Sequence, residues 1–127
     1  MNALSILQQV LTAQSVPVYP IVVPQTARLP CIVTSMISER QNSRLEDAAG
    51  QYEARVRVAV HHSSPAALMD LSEGIKELLI ATIQTEVEGG GALVNIFKDT
   101  TDITDFSEDR TTFRRLMDFK VQWWVMS

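Results

Sequence analysis

Between Gln51 and His62 apolar and polar positions alternate one by one. Tyr52, Ala54, Val56, Val58 and Val60 fall on one side, and Glu53, Arg55, Arg57 and His61 on the other. A period of two is that of a strand with one buried and one wetter face. The pattern returns over Arg114 to Val125, where Met117, Phe119, Val121, Trp123 and Val125 share a side. Cys31 to about Arg40, rich in β-branched residues, and Ala92 to Lys98 predict two further strands. The spacing changes to three and four at Ala3 to about Gln14, where Leu4, Leu7, Val10 and Leu11 mark one helical face ended by Ser15-Val16-Pro17. Ser64 as N-cap and Pro65 in the first turn open a second helix. Its apolar stripe is Leu68, Leu71, Ile75, Leu78 or Leu79, and Ile83, and Gly89-Gly90-Gly91 end it or its tail. Gly74 inside that helix costs about 1 kcal/mol relative to alanine, which a close approach of helix to sheet would offset.

Three polar or proline-rich segments join these elements. Pro20, Pro24 and Pro30 punctuate a stiff, extended lead-in to the first strand, since proline lacks an N–H and biases its predecessor toward extended geometry. Gln41 to Gly50 reads as a polar hairpin tip, and Asp99 to Thr112 as a long polar excursion. Two hairpins thus flank the main helix. The expected fold is α+β: a four-stranded antiparallel sheet packed by one long helix, plus an N-terminal helix, with residues 1–127 forming a single domain.

Composition narrows the class. Of 127 residues, 46% are hydrophobic and 20% charged, which is the balance of a globular chain rather than a disordered one. A net charge of −4 disfavours tight binding of DNA or RNA, which calls for basic patches. A single cysteine, Cys31, excludes an internal disulfide and a cysteine-based zinc site. No apolar run approaches the ~20 residues of a membrane helix, and no Lys or Arg precedes Arg28, so neither a membrane span nor a secretory signal peptide is expected.

Candidate chemistry is sparse. His61 and His62 are neighbours on a strand, so their side chains point to opposite faces and do not share a metal. Cys31 follows Pro30 in an apolar run and reads as a small buried hydrophobe rather than a nucleophile. Gly89-Gly90-Gly91 lacks the Lys-Ser/Thr and the strand-to-helix order of a phosphate loop. Asp99, Asp102, Asp105, Glu108 and Asp109 crowd one loop, but their spacing of three and the absence of a glycine do not match a calcium loop. The default is a solvated acidic loop; the other reading is a surface that repels a passing polyanion. Trp123 continues the apolar side of the last strand, whereas Trp124 shares a side with Asp118, Lys120 and Gln122. Trp124 is either a contact surface or a residue covered by the N-terminal helix or the lead-in.

The composite Val18-Tyr19-Pro20, Pro24-Gln25, Leu29-Pro30-Cys31-Ile32-Val33 resembles the tail terminator, or tail-completion, proteins of long-tailed bacteriophages. The resemblance continues through Tyr52-Glu53-Ala54-Arg55-Val56-Arg57-Val58-Ala59-Val60, the Ser64-Pro65 helix and Arg114-Arg115-Leu116-Met117-Asp118-Phe119-Lys120-Val121. It implies a structural virion protein: a homo-oligomeric ring, commonly a hexamer, that caps the tail tube, ends its polymerisation and joins the tail to the head connector. Implied partners are other copies of the chain, the tail tube protein and the head–tail connector or stopper. DNA passes through without specific binding. The implied location is the virion tail or neck, with assembly in the host cytoplasm.

The candidate interface residues are Tyr19, Arg40, Arg44, Leu45, Phe106 and Trp124. Glu86, Glu88, Asp99, Asp102 and Asp105 are candidates for an acidic channel lining, because cationic walls would hold phosphates. No catalytic, metal or cofactor site is expected, since no nucleophile–base or carboxylate pair can be placed. The alternatives are a head-closure or neck protein of the same junction, and a non-viral α+β ligand-binding or dimerisation module.

Overall fold

A computed structural model describes residues 2–22, 28–44, 47–83, 85–87, 92–99 and 102–125, with backbone alone at 41–44, 47–50, 85–87, 92–93 and 125. Among the described residues two α-helices, α1 (Ala3–Leu11) and α2 (Pro65–Ile80), accompany seven strands: β1 (Val18–Pro20), β2 (Cys31–Arg44), β3 (Asp47–His62), β4 (Thr85–Val87), β5 (Ala92–Lys98), β6 (Ile103–Phe106) and β7 (Phe113–Val125). They form one mixed sheet in the order β1-β2-β3-β7-β5-β4, with β6 also paired to β7.

The expected four-stranded antiparallel sheet is therefore overturned. The sheet has seven strands, and β1 runs parallel to β2, with Tyr19 opposite Val33. Each of the three unforeseen strands lacks the pattern that reveals a strand. β1 is three residues long and ends on Pro20, which is tolerated at a sheet edge because no ladder donor is needed there. β6 is four residues of the acidic excursion, exposed at three of them, so no apolar alternation marks it. β4 is three residues, lying where the sequence suggested the tail of the main helix. Gly89-Gly90-Gly91 and Pro24-Gln25 lie outside the described residues.

Local chemistry explains the helix ends. Asn2 caps α1: its side-chain oxygen accepts from the Ser5 N–H at 2.9 Å, and the Ser5 hydroxyl accepts from the Asn2 N–H at 3.1 Å, a reciprocal capping box. Ser64 caps α2, accepting from the Ala67 N–H at 3.4 Å, with Pro65 in the first turn. Both helices lie on the same face of the sheet. Ala3, Ile6, Leu7 and Leu11 of α1 join Leu68, Ile75 and Leu79 of α2 in one core with Ala54, Val56, Val58 and Val60 of β3 and Met117, Phe119, Val121 and Trp123 of β7. Tyr52 stacks on Trp123 with ring centroids 5.3 Å apart.

Strands β5 and β6 are two parts of one line along β7. Lys98 pairs with Phe119 and Ile103 with Leu116, so four residues on one side answer two on the other. The Asp99 N–H donates to the Asp118 carbonyl at the start of this irregularity. At the opposite end of the sheet a bulge at Ile37 shifts the β2 register between Met36 and Ser38.

Gly74 has no close neighbour: a Cβ added there meets nothing within 4 Å. The close approach expected to offset this glycine is absent. Gly74→Ala should therefore stabilise the fold by about 1 kcal/mol, through helix propensity alone. Urea or thermal unfolding of the variant checks this; an unchanged or lowered midpoint contradicts it.

Candidate interface: the open sheet face and the edge of β2

Alternation fixes which side chains avoid the helices. On β3 these are Glu53, Arg55, Arg57, Ala59 and His61; on β7 they are Arg114, Leu116, Asp118, Lys120, Gln122 and Trp124. The face is laced with ion pairs between strands. Arg57 sits opposite Asp118 and grips it with two hydrogen bonds, of 2.8 and 3.1 Å. Arg114 sits opposite Asp105 of β6 and grips it in the same two-pronged way. Arg55 reaches Asp99 at 2.8 Å. Glu53 lies between Arg40 at 3.1 Å and Lys120 at 3.5 Å.

These contacts move the titrations. Asp105 is held below the usual carboxylate range, first by the Arg114 hydrogen bonds, which outweigh its partial desolvation. Burial alone would raise the Glu53 carboxyl, but Arg40 and Lys120 together bring it below its ordinary value. Burial, helped by the charge of Arg114, lowers the His61 imidazole.

A second charged group lies on the helix side, at the break between β5 and β6. Asp102 receives Lys98 at 2.8 Å, Arg115 at 2.8 Å and Lys76 of α2 at 3.6 Å. Arg115, nearly buried under α2, also meets Glu73 at 3.3 Å. One carboxylate thus ties the interrupted strand, β7 and the helix together.

The predicted site residues are scattered. Tyr19 and Trp124 share the open face, with Trp124 half-buried and placed by register between Gln51 and Leu93. Neither helix covers Trp124, since both lie on the other face. Arg40 is exposed and engaged with Glu53. Phe106 is 58% exposed, tilted against Phe113 with the Arg110 guanidinium over its ring. Of the candidate channel acids, Asp99 and Asp105 are paired on the open face and Asp102 is tied toward α2. Glu86 pairs with Leu93 by backbone; the side chains of Glu86 and Arg44, and the whole of Leu45 and Glu88, lie outside what is described.

Two features were missed by sequence reasoning. Strand β1 stops at Pro20, opposite Thr34, so from Ser35 onward no described strand flanks the side of β2 away from β3. Beside this free edge runs a groove of about 700 Å³, lined by Leu4, Ser5 and Gln8 of α1, Val18 and Pro20 of β1, and Met36 and Glu39 of β2, among others. Both depend on which strand stops first, and no local pattern reports that. Among the described residues no group of three or more His, Cys, Asp or Glu is placed to hold a metal, and no helix is long and apolar enough to cross a membrane.

The geometry defines a class: a one-layer mixed sheet with helices on one face, ion pairs on the other, and an edge of β2 left without a partner strand among the described residues. That architecture has a known counterpart. The chain is similar in fold to a chain from the virion of a native gene transfer agent particle, with a TM-score of 0.57 over 94% of this chain and 85% of that one, at 10% sequence identity. No protein-family model and no curated protein matches it.

The Asp102 junction carries a stability prediction. Asp102→Ala strips Arg115 and Lys98 of a shared partner in a largely buried place and should cost about 2 kcal/mol, less than a fully buried pair because Glu73 remains. The Asp102 carboxyl feels burial, which raises its pKa, but the hydrogen bonds from Arg115 and Lys98 win and lower it. A lowered folded-state pKa stabilises above the unfolded value and is lost as pH falls through the folded one. Wild type should therefore lose stability below about pH 4, and Asp102→Asn should lose less over the same range. Denaturation midpoints against pH test this, and parallel curves for the two proteins would contradict it.

Proposed function

We propose that this chain is a structural virion protein of the tail-terminator kind: a ring of identical subunits that caps the tail tube, stops its growth and presents a surface to the head connector. The observation that carries the reading is the fold shared, over nearly the whole of both chains, with a component of a gene transfer agent virion. The motif resemblance of the sequence to tail terminators points the same way. The surface chemistry fits a part of an assembly: among the described residues one sheet face carries no helix, a half-buried Trp124 lies upon it, and the outer edge of β2 has no partner strand beyond Thr34.

In the proposed ring the open face turns toward the channel. Arg55, Arg57 and Arg114 there already hold carboxylates at hydrogen-bond distance. Phosphates of passing DNA then meet paired charge rather than a row of free cations, so few counterions are released and the polymer is not arrested. Asp99 and Asp105 are the acids that serve this lining, by neutralising Arg55 and Arg114.

A virus lacking the protein should make overlong tails, and purified protein added to polymerising tail tubes should stop their growth. Electron micrographs of tail lengths decide the matter. Tails of normal length that fail to join heads would transfer the protein to head closure and sink the terminator reading.

Trp124→Ala should leave the unfolding midpoint within about 1 kcal/mol of wild type, as befits a half-exposed side chain, while lowering self-association or tube capping. A loss of several kcal/mol with capping intact would make Trp124 a fold residue instead.

A further inference from the structure

We propose that Met69 is an oxidation site at which the sulfoxide suits the fold better than the thioether: a peroxide that oxidises it supplies Arg115 with a missing acceptor and tightens the hold of α2 on β7. The inference stands on the α2–β7 junction alone and is independent of the ring reading.

The need lies with Arg115, which is nearly buried. A guanidinium carries five N–H donors and no acceptor. Of its three nitrogens here, only Nη2 meets oxygen: it donates to Asp102 at 2.8 Å and lies 3.3 Å from Glu73. Nε is buried and has no hydrogen-bond partner among the described residues. Nη1 donates to the sulfur of Met69 at 3.1 Å. A thioether is a weak acceptor, and a buried donor left short of a good one is costly. The guanidinium is thus served on one side by two carboxylates and on another by sulfur alone.

Met69 is placed to supply what is missing. Met69, Glu73 and Lys76 follow one another at spacings of four and three, so one face of α2 looks onto Arg115 and Asp102. Met69 is 41% exposed, which opens its sulfur to a small oxidant, whereas Met117 is fully buried and Met36 half-buried. In the step, a sulfur lone pair attacks one oxygen of hydrogen peroxide. The S–O bond forms as the O–O bond breaks, and the other oxygen leaves with both protons as water; the thioether is oxidised and the peroxide reduced. The new oxygen is a strong acceptor on the atom that already faces Nη1. The methionine side chain is unbranched and turns about three bonds, and this one lies partly in solvent, so the sulfur can withdraw and leave the oxygen within hydrogen-bond reach. A bond from a charged donor is about twice as strong as one between neutral groups. Sulfoxide in a core disrupts packing; here the site is half-exposed and a cationic donor faces it.

Dilute hydrogen peroxide should add one oxygen at Met69, seen in the peptide mass spectrum, and raise the urea midpoint of the full chain. Met69→Leu given the same treatment controls for the other methionines. Relative to that control, oxidation should raise the folding equilibrium constant of wild type by about tenfold, and methionine sulfoxide reductase should reverse the gain. Met69→Gln, which carries an amide oxygen at the same reach, should raise the midpoint without peroxide and gain nothing further from it. The side-chain N–H protons of Arg115 should exchange more slowly in the oxidised protein, an effect that oxidation far from Arg115 would not produce. A midpoint lowered or unmoved against the control, with Met69 oxidised, overturns the proposal. So does a Met69 that stays a thioether while Met36 is converted. A gain that Met69→Leu shares belongs to another methionine and overturns it equally. None of these failures touches tail length, the measure of the ring reading.

Discussion

The antiparallel pairing of β3 with β7 is the constraint from which the rest of the structure follows. It runs without a register shift from Gln51 opposite Trp124 to His62 opposite Phe113. Side chains alternate with a period of two, so a slip of one residue would carry Phe119 to the wet face and Asp118 under the helices. Burial of a side chain such as Val58 or Phe119 is worth about 1.5–3 kcal/mol, whereas a half-exposed ion pair such as Arg57–Asp118 contributes about 0–1 kcal/mol. The core therefore sets the register. The charges reinforce it: in a register slipped by one residue Arg57 and Asp118 would lose each other, and one of them would be carried under the helices.

The same central pair explains how the helix layer is fastened. Strand β7 carries β5 along one stretch and β6 along the next, and the extra residues between them leave the line of the sheet. At that departure Asp102 meets Lys98, Arg115 and Lys76. A break in a ladder leaves polar groups that must be satisfied, and here the carboxylate is used to bind strand to helix. The irregularity and the charge cluster are one feature, for the break is what brings an acidic loop residue to Arg115 beneath α2.

What could be read from the sequence was what a local pattern encodes. The alternation in Gln51–His62 and Arg114–Val125 placed Trp123 inward and Trp124 outward, and the structure has them so. The capping signal at Ser64-Pro65 marked the start of α2. The strands at Cys31 and at Ala92–Lys98 were legible too, but the remaining strands and the mixed topology were not. Val18–Pro20 and Ile103–Phe106 become strands because β2 and β7 offer them edges, and four mostly exposed or three proline-flanked residues carry no periodic signal of their own. Gly74 misled for a related reason, since a helix glycine suggests a close approach and none is present. The acids at 99, 102 and 105 looked like a free negative loop. Their partners Arg55, Arg115 and Arg114 are distant or unremarkable in sequence and become neighbours through pairing with β7.

An unpaired strand edge is a hazard in a chain that acts alone, and proteins blunt such edges with charge, bulges or covering segments. Strand β2 has two of these devices, the bulge at Ile37 and the charge of Glu39, yet Ile37 itself remains 45% exposed beside a partly apolar groove. The blunting is thus incomplete at the place where β1 gives out. In the proposed ring such an edge would lie among neighbouring subunits, much as closure removes edges in a barrel. The proposed orientation of the faces has its own reason. Helices crowd one side of the sheet, and in a ring curvature toward the opposite side would keep that bulk outside and put the ion-paired face within.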